Sequence, residues 1–476
     1  MSDKLKLKNG IIVTFIAKYS NIIAQLIINS ILARLLMPEE FGVIAIITVF
    51  IAFFNILGDM GVGPAIIQNK SLDEKEISDI FKFSIIGAII IATAFYFFSY
   101  FVAFFYTNRI YIRLGFLLSF SVLFSICNIV PNAIIYKKQN FKLIGIINIC
   151  VNVLVGIITI ILALNGWSYY SLVFDSILKS LFIFIFSYRF SRIKVKRGYA
   201  YDSLRKIRNY SSYQFLFNFI NYFTRNLDNI LIGKYLGSSA LGYYDKSYKI
   251  MLYPVQNLTN VITPVLHPVL SEYQDKVEVI YYTYMKVVKV LAYIGIFISV
   301  YCFYSATEII RIMYGSNWDE SIPIFRILSI SIVIQMVLSS IGSIFQATGY
   351  VNKLFSTGIV SACFTITTIL IGVISRRIDV LAIGLVISFM FNFIQCFYVL
   401  ITQVFNKSFC EFLLSMRNVL IIGSIMICGY VLTSKILVHN VIISAIVKLI
   451  IGIITYSIGL ILTKEYKLLR SIIFNN

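Results

Sequence analysis

The sequence predicts an all-α polytopic membrane protein of about 14 transmembrane helices, six in each of two parallel lobes and two more at the C-terminus. Three observations carry this expectation. Of the 476 residues 59% are hydrophobic and 13% charged, against roughly 25% charged in soluble chains, and the mean hydropathy is +0.87. Apolar runs that reach the roughly 20 residues a spanning helix needs recur from Phe15 to the C-terminal region, separated by short polar breaks. Displacing the chain by 200 residues superposes Asn21 on Asn221, Asn29 on Asn229, Arg34 on Lys234, Gly42 on Gly242 and Pro64 on Pro264 without a gap. Six helices separate equivalent points, so both copies enter the membrane in the same direction and the repeat axis runs along the membrane normal.

Cutting at polar, Gly-rich and Pro-containing breaks places the spans at 12–36, 41–67, 82–106, 113–134, 143–164, 168–190, 209–233, 240–271, 283–307, 322–347, 354–375, 379–404, 413–434 and 440–463. The second and eighth are longer than a straight crossing requires and contain helix breakers. Gly58-Asp-Met-Gly-Val-Gly-Pro64 sits in one, and Pro254, Pro264 and Pro268 in the other, so both are expected to be bent or interrupted. The resulting organisation is an N-lobe over 1–190, a basic cytoplasmic linker over 191–208, a C-lobe over 209–404, and two additional helices with a tail over 405–476.

Orientation follows from Lys and Arg in the loops. Lys4, Lys6, Lys8, the Lys70 to Lys82 loop, Lys137, Lys138, Lys142, the cluster Arg189 to Arg208, Lys407, Lys464, Lys467 and Arg470 fall on one side. The alternate loops Met37-Pro-Glu-Glu40 and Asn165-Gly-Trp-Ser-Tyr-Tyr170 hold none, which predicts that both termini face the cytoplasm. Arg109, Arg113, Arg376 and Arg377 run against this assignment. The net charge of +20 is thereby read as topology signal and contact with anionic headgroups, with no nucleic-acid partner. Met1 to Asn9 is polar and basic and no small-residue cleavage site follows the first apolar run, so that helix is expected to stay in the mature protein. The seven cysteines have no metal-like or redox-like spacing and read as packing residues.

Polar residues within the spans point to function, because charge at bilayer depth is costly and usually faces a wet cavity or a partner. Lys18, Asn21, Gln25 and Asn29 recur three or four residues apart on the first helix and so share one face. Asn218, Asn221, Arg225, Asp228 and Asn229 form the corresponding stripe on the seventh. The competing explanation is interhelical hydrogen bonding alone; duplication of the stripe favours a shared aqueous cavity. Its sign is positive: Lys18, Arg34, Lys179, Arg225, Lys234, Lys246 and Lys249 stand against Asp59, Asp175, Asp228 and Asp245, and Arg225 is one turn from Asp228. An anionic solute or headgroup fits such a cavity, and a pyrophosphate suits both the arginine fork and the lysine point charge. Lys234, Lys246 and Lys249 read equally well as interfacial residues snorkelling to water. Asp59 is a candidate ion carrier or a helix cap, and His267 a titratable or simply packed histidine. Two histidines, no metal-ligand cluster, no phosphate-cradling glycine motif and no large extramembrane loop argue against an enzyme, with no catalytic residue, metal or cofactor assigned.

Leu32-Ala-Arg-Leu-Leu-Met-Pro-Glu-Glu-Phe-Gly42, Gly58-Asp-Met-Gly-Val-Gly-Pro-Ala-Ile-Ile-Gln68, Arg225-Asn-Leu-Asp-Asn-Ile-Leu-Ile-Gly-Lys-Tyr-Leu-Gly237, Leu241-Gly-Tyr-Tyr244 and Pro264-Val-Leu-His-Pro268 resemble the bacterial polysaccharide transporters. These are the Wzx-type lipid-linked oligosaccharide flippases, including the colanic acid and teichuronic acid exporter branch, within the superfamily of multidrug (MATE), oligosaccharidyl-lipid and polysaccharide exporters. The resemblance covers about the first 350 residues in motifs and the remainder in hydropathy. It implies two six-helix lobes in a V-shaped MATE-like arrangement and carriage of undecaprenyl-pyrophosphate-linked repeat units across the inner membrane for O-antigen, capsule or exopolysaccharide. Membrane lipids, a polysaccharide polymerase and a chain-length regulator are the partners it implies. Arg34 and Arg225 best match the family positions thought to hold the diphosphate; Lys18 and Lys179 rest on this sequence alone. Coupling to a H+ or Na+ gradient is left open, with Asp228 and Asp59 as candidate carriers. A MATE-like drug or cation antiporter, expected to have an acidic pocket, and a membrane polysaccharide polymerase, expected to have a large catalytic loop, are the alternatives.

Overall fold

In hydrocarbon every backbone N–H and C=O must be satisfied within the protein, which leaves helices as the default for apolar runs of this length. The computed structural model describes residues 2–69, 72–195, 222, 226–274, 276–434, 440–467 and 470, and among them no strand occurs. Ten of the described helices, or eleven counting one bent pair, are long and apolar enough to cross a membrane. The chain is a multi-pass helical membrane protein.

The chain divides into two compact units, Met1–Gly242 and Tyr243–Asn476. The first contains α1 (Ser2–Leu35), α2 (Pro38–Asp59), α3 (Val62–Gln68), α4 (Glu74–Phe105), α5 (Ile110–Cys127), α6 (Ile129–Lys137), α7 (Phe141–Leu164) and α8 (Tyr169–Ser191). Most of the expected seventh span lies outside the described residues; of the described ones, 222 and 226–235 are helical. α9 (Ser238–Ser271) begins at the end of the first unit and continues into the second. There it is followed by α10 (Val277–Tyr304), α11 (Ala306–Tyr314), α12 (Ser321–Ser329), α13 (Ile332–Leu338), α14 (Ile341–Ala347), α15 (Val351–Ile374), α16 (Ile378–Val399), α17 (Phe409–Ser415), α18 (Arg417–Leu432) and α19 (Val441–Leu462).

Local chemistry explains the boundaries. Pro38 opens α2, where its missing N–H costs nothing, and Glu40 accepts from the Met37 N–H at 2.6 Å. Asp73 and Glu76 close a reciprocal cap on α4, with Asp73 accepting from the Glu76 N–H at 2.7 Å and Glu76 from the Asp73 N–H at 3.1 Å. The expected break in the second span is present: α2 stops at Asp59, and Met60 (φ 43°) and Gly61 (φ 75°) turn left-handed before α3. The tenth expected span is the pair formed by Ser321–Ser329 and Ile332–Ala347, bent by 49°. In the eighth, of the two outcomes expected, interruption does not occur: α9 is helical from Ser238 to Ser271 through Pro254, Pro264 and Pro268. Each proline removes only one backbone donor, a loss that a packed membrane helix absorbs.

Packing separates inside from outside. In the first unit Ile46, Ile47, Ile66, Phe95, Leu114 and Val122 are fully enclosed; in the second, Trp318, Tyr284, Phe325, Phe345, Phe397 and Phe412 are. Phe104, Ile374 and Leu432 are each at least 80% exposed, an arrangement suited to lipid rather than water. Among the spans of the described residues α19 is the least enclosed. All seven cysteines are free thiols; Cys127, Cys302 and Cys396 are buried as packing residues, whereas Cys150, Cys363, Cys410 and Cys428 are exposed on helix surfaces.

The 200-residue correspondence has a physical counterpart at the starts of α2 and α9. A Cβ placed on Gly42 would lie 1.7 Å from the Ser238 carbonyl oxygen, and one on Gly242 would lie 2.1 Å from the Pro38 carbonyl oxygen. Position 238 is the equivalent of 38 just as 242 is of 42. The two helix ends therefore cross backbone to backbone, each glycine admitting the other helix's first carbonyl.

Candidate functional site

The candidate residues of the first unit occupy three places. On α1, Lys18 is exposed while Asn21, Gln25 and Asn29 are half-buried on one face. That face meets α7: the Asn152 Nδ2 donates to Asn21 Oδ1 at 2.7 Å, and Asn152 is buried. Asn21 thus takes part in the helix-to-helix hydrogen bonding that was the competing explanation for the stripe. Arg34 lies in the last turn of α1 with its side chain exposed, a position where a cation is favoured by the helix dipole.

The second place is the helix 226–235. Arg225, Asn218 and Asn221 lie outside the described residues. Asp228 is buried, with Oδ1 accepting from the Asn229 N–H at 2.8 Å. Asn229 Oδ1 is enclosed with no hydrogen-bond partner among the described residues. Several contacts hold this helix against the others of its unit. Tyr106 donates its hydroxyl to the Ile230 carbonyl at 3.0 Å, Tyr222 donates to the Val49 carbonyl, and Lys234 donates to the Phe105 carbonyl with its ammonium 4.9 Å from the Phe105 ring centroid. Lys234 therefore caps the C-terminal end of α4.

The third place is α8. Lys179 donates to Asp175 Oδ2 at 2.7 Å one turn away, and Asp175 Oδ1 accepts from the Thr159 hydroxyl of α7 at 3.0 Å. Thr159 is fully buried. Nearby on the same helix, Ser176 and Ser180 hydrogen-bond to Ser121 of α5 at 3.1 and 3.3 Å. Lys179 thus already has a carboxylate partner, which a count of charges along the sequence does not reveal.

The remaining charged candidates are placed as follows. Asp59 Oδ1 accepts from the Gly63 N–H at 3.2 Å and so caps α3 at the break. In the second unit Lys249 pairs with Asp245 at 2.7 Å, and Lys246 is buried with its ammonium 5.3 Å from the Tyr314 ring centroid. His267 lies within α9, and its side chain is outside the described residues. Asn152 and Thr159 escaped the sequence reading, although the asparagines Asn148 and Asn152, four residues apart in the apolar run Ile147 to Leu162, were a usable signal. No group of three or more His, Cys, Asp or Glu able to hold a metal occurs among the described residues. An apolar groove along α18, lined by Leu420, Ser424, Cys428 and Leu432, contains none of the candidates.

Residues 31–323, well over half of the chain, match the model of a family described as polysaccharide biosynthesis protein. The chain belongs to that family. Among its relatives, lipopolysaccharide biosynthesis protein WzxC of Escherichia coli (strain K12) is 23% identical over 419 residues, covering 84% of this chain and 83% of that protein. Teichuronic acid biosynthesis protein TuaB of Bacillus subtilis (strain 168) is 24% identical, covering 64% and 63%. Succinoglycan biosynthesis transport protein ExoT of Rhizobium meliloti (strain 1021) is 21% identical, covering 63% and 61%. The fold is similar to that of a solved structure described as lipid II flippase MurJ, inward closed conformation, with a TM-score of 0.72 at 16% identity over 96% of this chain and 99% of that one. An inward-facing multidrug resistance MATE family transporter of the MOP superfamily follows at 0.61 and 16% identity, over 79% and 93%. Of these proteins, ExoT, MurJ and the MATE protein are named as a transport protein, a flippase and a transporter.

Proposed function

We propose that this protein is a flippase that moves undecaprenyl-pyrophosphate-linked oligosaccharide repeat units across the bacterial inner membrane, for O-antigen, capsule or exopolysaccharide assembly. The observation that carries the reading is the family match over residues 31–323, a stretch that includes Arg34, Lys179 and Arg225. A lipid-linked glycan presents two problems to the bilayer: a hydroxyl-rich headgroup and a diphosphate, both costly to carry through hydrocarbon. Arginine answers the diphosphate with a planar fork and lysine with a compact charge. Amides such as Gln25 and Asn29 offer the sugar both donors and acceptors. The prenyl tail stays in lipid while the headgroup enters a cationic cavity, and alternating access exposes it to the other side. In this reading both termini are cytoplasmic, a H+ or Na+ gradient supplies the direction through Asp228 or Asp59, and a polymerase and a chain-length regulator receive the product.

The experiment is complementation of a strain lacking its exporter. Losing one charge-assisted hydrogen bond of about 1.5–3 kcal/mol weakens binding roughly 10- to 100-fold. Arg34→Ala and Arg225→Ala, each confirmed to reach the membrane, are accordingly expected to restore under about a tenth of wild-type surface polysaccharide. Restoration at the wild-type level by both removes these arginines from the site.

A further inference from the structure

Lys179 is ten residues from the first residue of α8 and twelve from the last, about 15 and 18 Å along the axis at 1.5 Å per residue. A lysine stem does not span either distance, so this ammonium cannot reach the interface by snorkelling. It is held instead by Asp175 at 2.7 Å, in a pair whose side chains remain 28% and 19% exposed. An ion pair serving only to neutralise itself in a core would be enclosed; this one keeps an open side, and an ammonium has two further N–H donors to offer there.

Asp175 also has somewhere else to turn. Its second oxygen lies 3.0 Å from the Thr159 hydroxyl, which lies 2.8 Å from the Val155 carbonyl oxygen as well. One hydroxyl proton thus has two acceptors, and it can serve the carboxylate fully whenever Asp175 needs a replacement donor. Thr159 is fully buried and fixed in place, so this second donor is present whether or not Lys179 is engaged.

We infer that Asp175 is a specificity-determining residue that screens the anions admitted to Lys179: a ligand takes all the donors of the ammonium only by displacing the carboxylate, which then rests on the Thr159 bond it already has. A monophosphate, with fewer acceptor oxygens and less charge, exchanges one such contact for another and gains little. A pyrophosphate brings more charge and several acceptor oxygens to the same ammonium and wins the exchange. The Asp175–Lys179 pair therefore passes diphosphates over monophosphates. This rests on the flippase reading above and supplies that site with selectivity for the diphosphate linkage.

The test is binding of inorganic pyrophosphate and, separately, inorganic phosphate to the purified full-length protein in lipid nanodiscs, read by calorimetry. Wild type is expected to prefer pyrophosphate at least tenfold. Asp175→Asn, which keeps the size and an acceptor for Thr159, is expected to bind both anions more tightly and to lose most of the preference. Lys179→Gln is expected to weaken pyrophosphate binding about tenfold. Thr159→Val leaves both charges in place and removes the alternative donor, so pyrophosphate binding is expected to fall severalfold, opposite in sign to Asp175→Asn. Should Asp175→Asn fail to fold, the Thr159→Val result decides alone. An unchanged preference in Asp175→Asn, or unchanged pyrophosphate affinity in Thr159→Val, overturns this role for Asp175 and leaves the flippase reading intact. Absence of pyrophosphate binding by the wild type overturns both.

Discussion

Gly42→Ala and Gly242→Ala are each expected to destabilise the protein by about 1–3 kcal/mol, lowering its melting temperature in detergent by about 2 °C or more. The added methyl would sit 1.7 Å from the Ser238 oxygen in one case and 2.1 Å from the Pro38 oxygen in the other. Both obstacles are backbone atoms at helix starts, so neither can rotate away as a side chain would, and the crossing helices must separate. Gly42→Val is expected to be worse than Gly42→Ala, because branching fills more of the space occupied by the opposing carbonyl. Gly87→Ala and Gly358→Ala are the internal comparison: a Cβ there meets nothing within 4 Å, and both glycines are in helices, where alanine is favoured by about 0.5–1 kcal/mol. Thermal unfolding of the five proteins beside wild type checks this. Equal behaviour of Gly42→Ala and Gly87→Ala contradicts the crossing.

The second large effect is expected at Lys448→Met. α19 has little enclosed surface, and polar contacts fix it to its own unit. Lys448 pairs with Glu308 of α11 at 2.5 Å and donates to the Tyr304 carbonyl at 2.9 Å, Ser444 donates to Glu308 at 2.7 Å, and Tyr430 donates to the Lys448 carbonyl at 2.8 Å. Glu308 is buried. Removing the ammonium strands that carboxylate, at a cost of about 3–5 kcal/mol, whereas Lys448→Arg retains a cation and is expected to recover much of the loss. Burial alone would push the Glu308 carboxyl up, but the hydrogen bonds from Lys448 and Ser444 together hold it below its ordinary range. A depressed folded pKa means that this contribution is complete above the unfolded carboxylate value of about 4.3 and disappears as pH falls through the lower folded value. Melting curves of wild type and Lys448→Met are thus expected to converge under strongly acidic conditions; a constant gap across the range contradicts the assignment.

What the sequence revealed and what it hid follow from the range of the interactions involved. Helices were legible because bilayer thickness sets one length for every apolar run, and the Asp59 break was legible because Gly58, Gly61, Gly63 and Pro64 cluster there. The three prolines of α9 leave its helix unbroken, because the cost of a breaker depends on what packs around the freed carbonyl, and that is not a local property. Asp175 and Lys179 stand at i and i+4, so their pairing could be read from spacing, yet treating them as separate charges overstated the free positive charge. Spacing put Asn21 on a polar face, but its partner Asn152 is 131 residues away and no periodicity connects them. The glycines at 42 and 242 were visible as a repeat. That each receives the other helix's first carbonyl required coordinates.

In the proposed function a cationic site recognises the diphosphate of a lipid-linked glycan. Headgroup movement between leaflets tests this recognition in proteoliposomes holding the purified protein and a fluorescent undecaprenyl-pyrophosphate-linked oligosaccharide. Protein-dependent translocation is expected, inhibited by excess inorganic pyrophosphate and reduced at least tenfold in Arg34→Ala. Translocation of an otherwise identical lipid without the diphosphate at the same rate, or full activity of Arg34→Ala and Arg225→Ala, contradicts it.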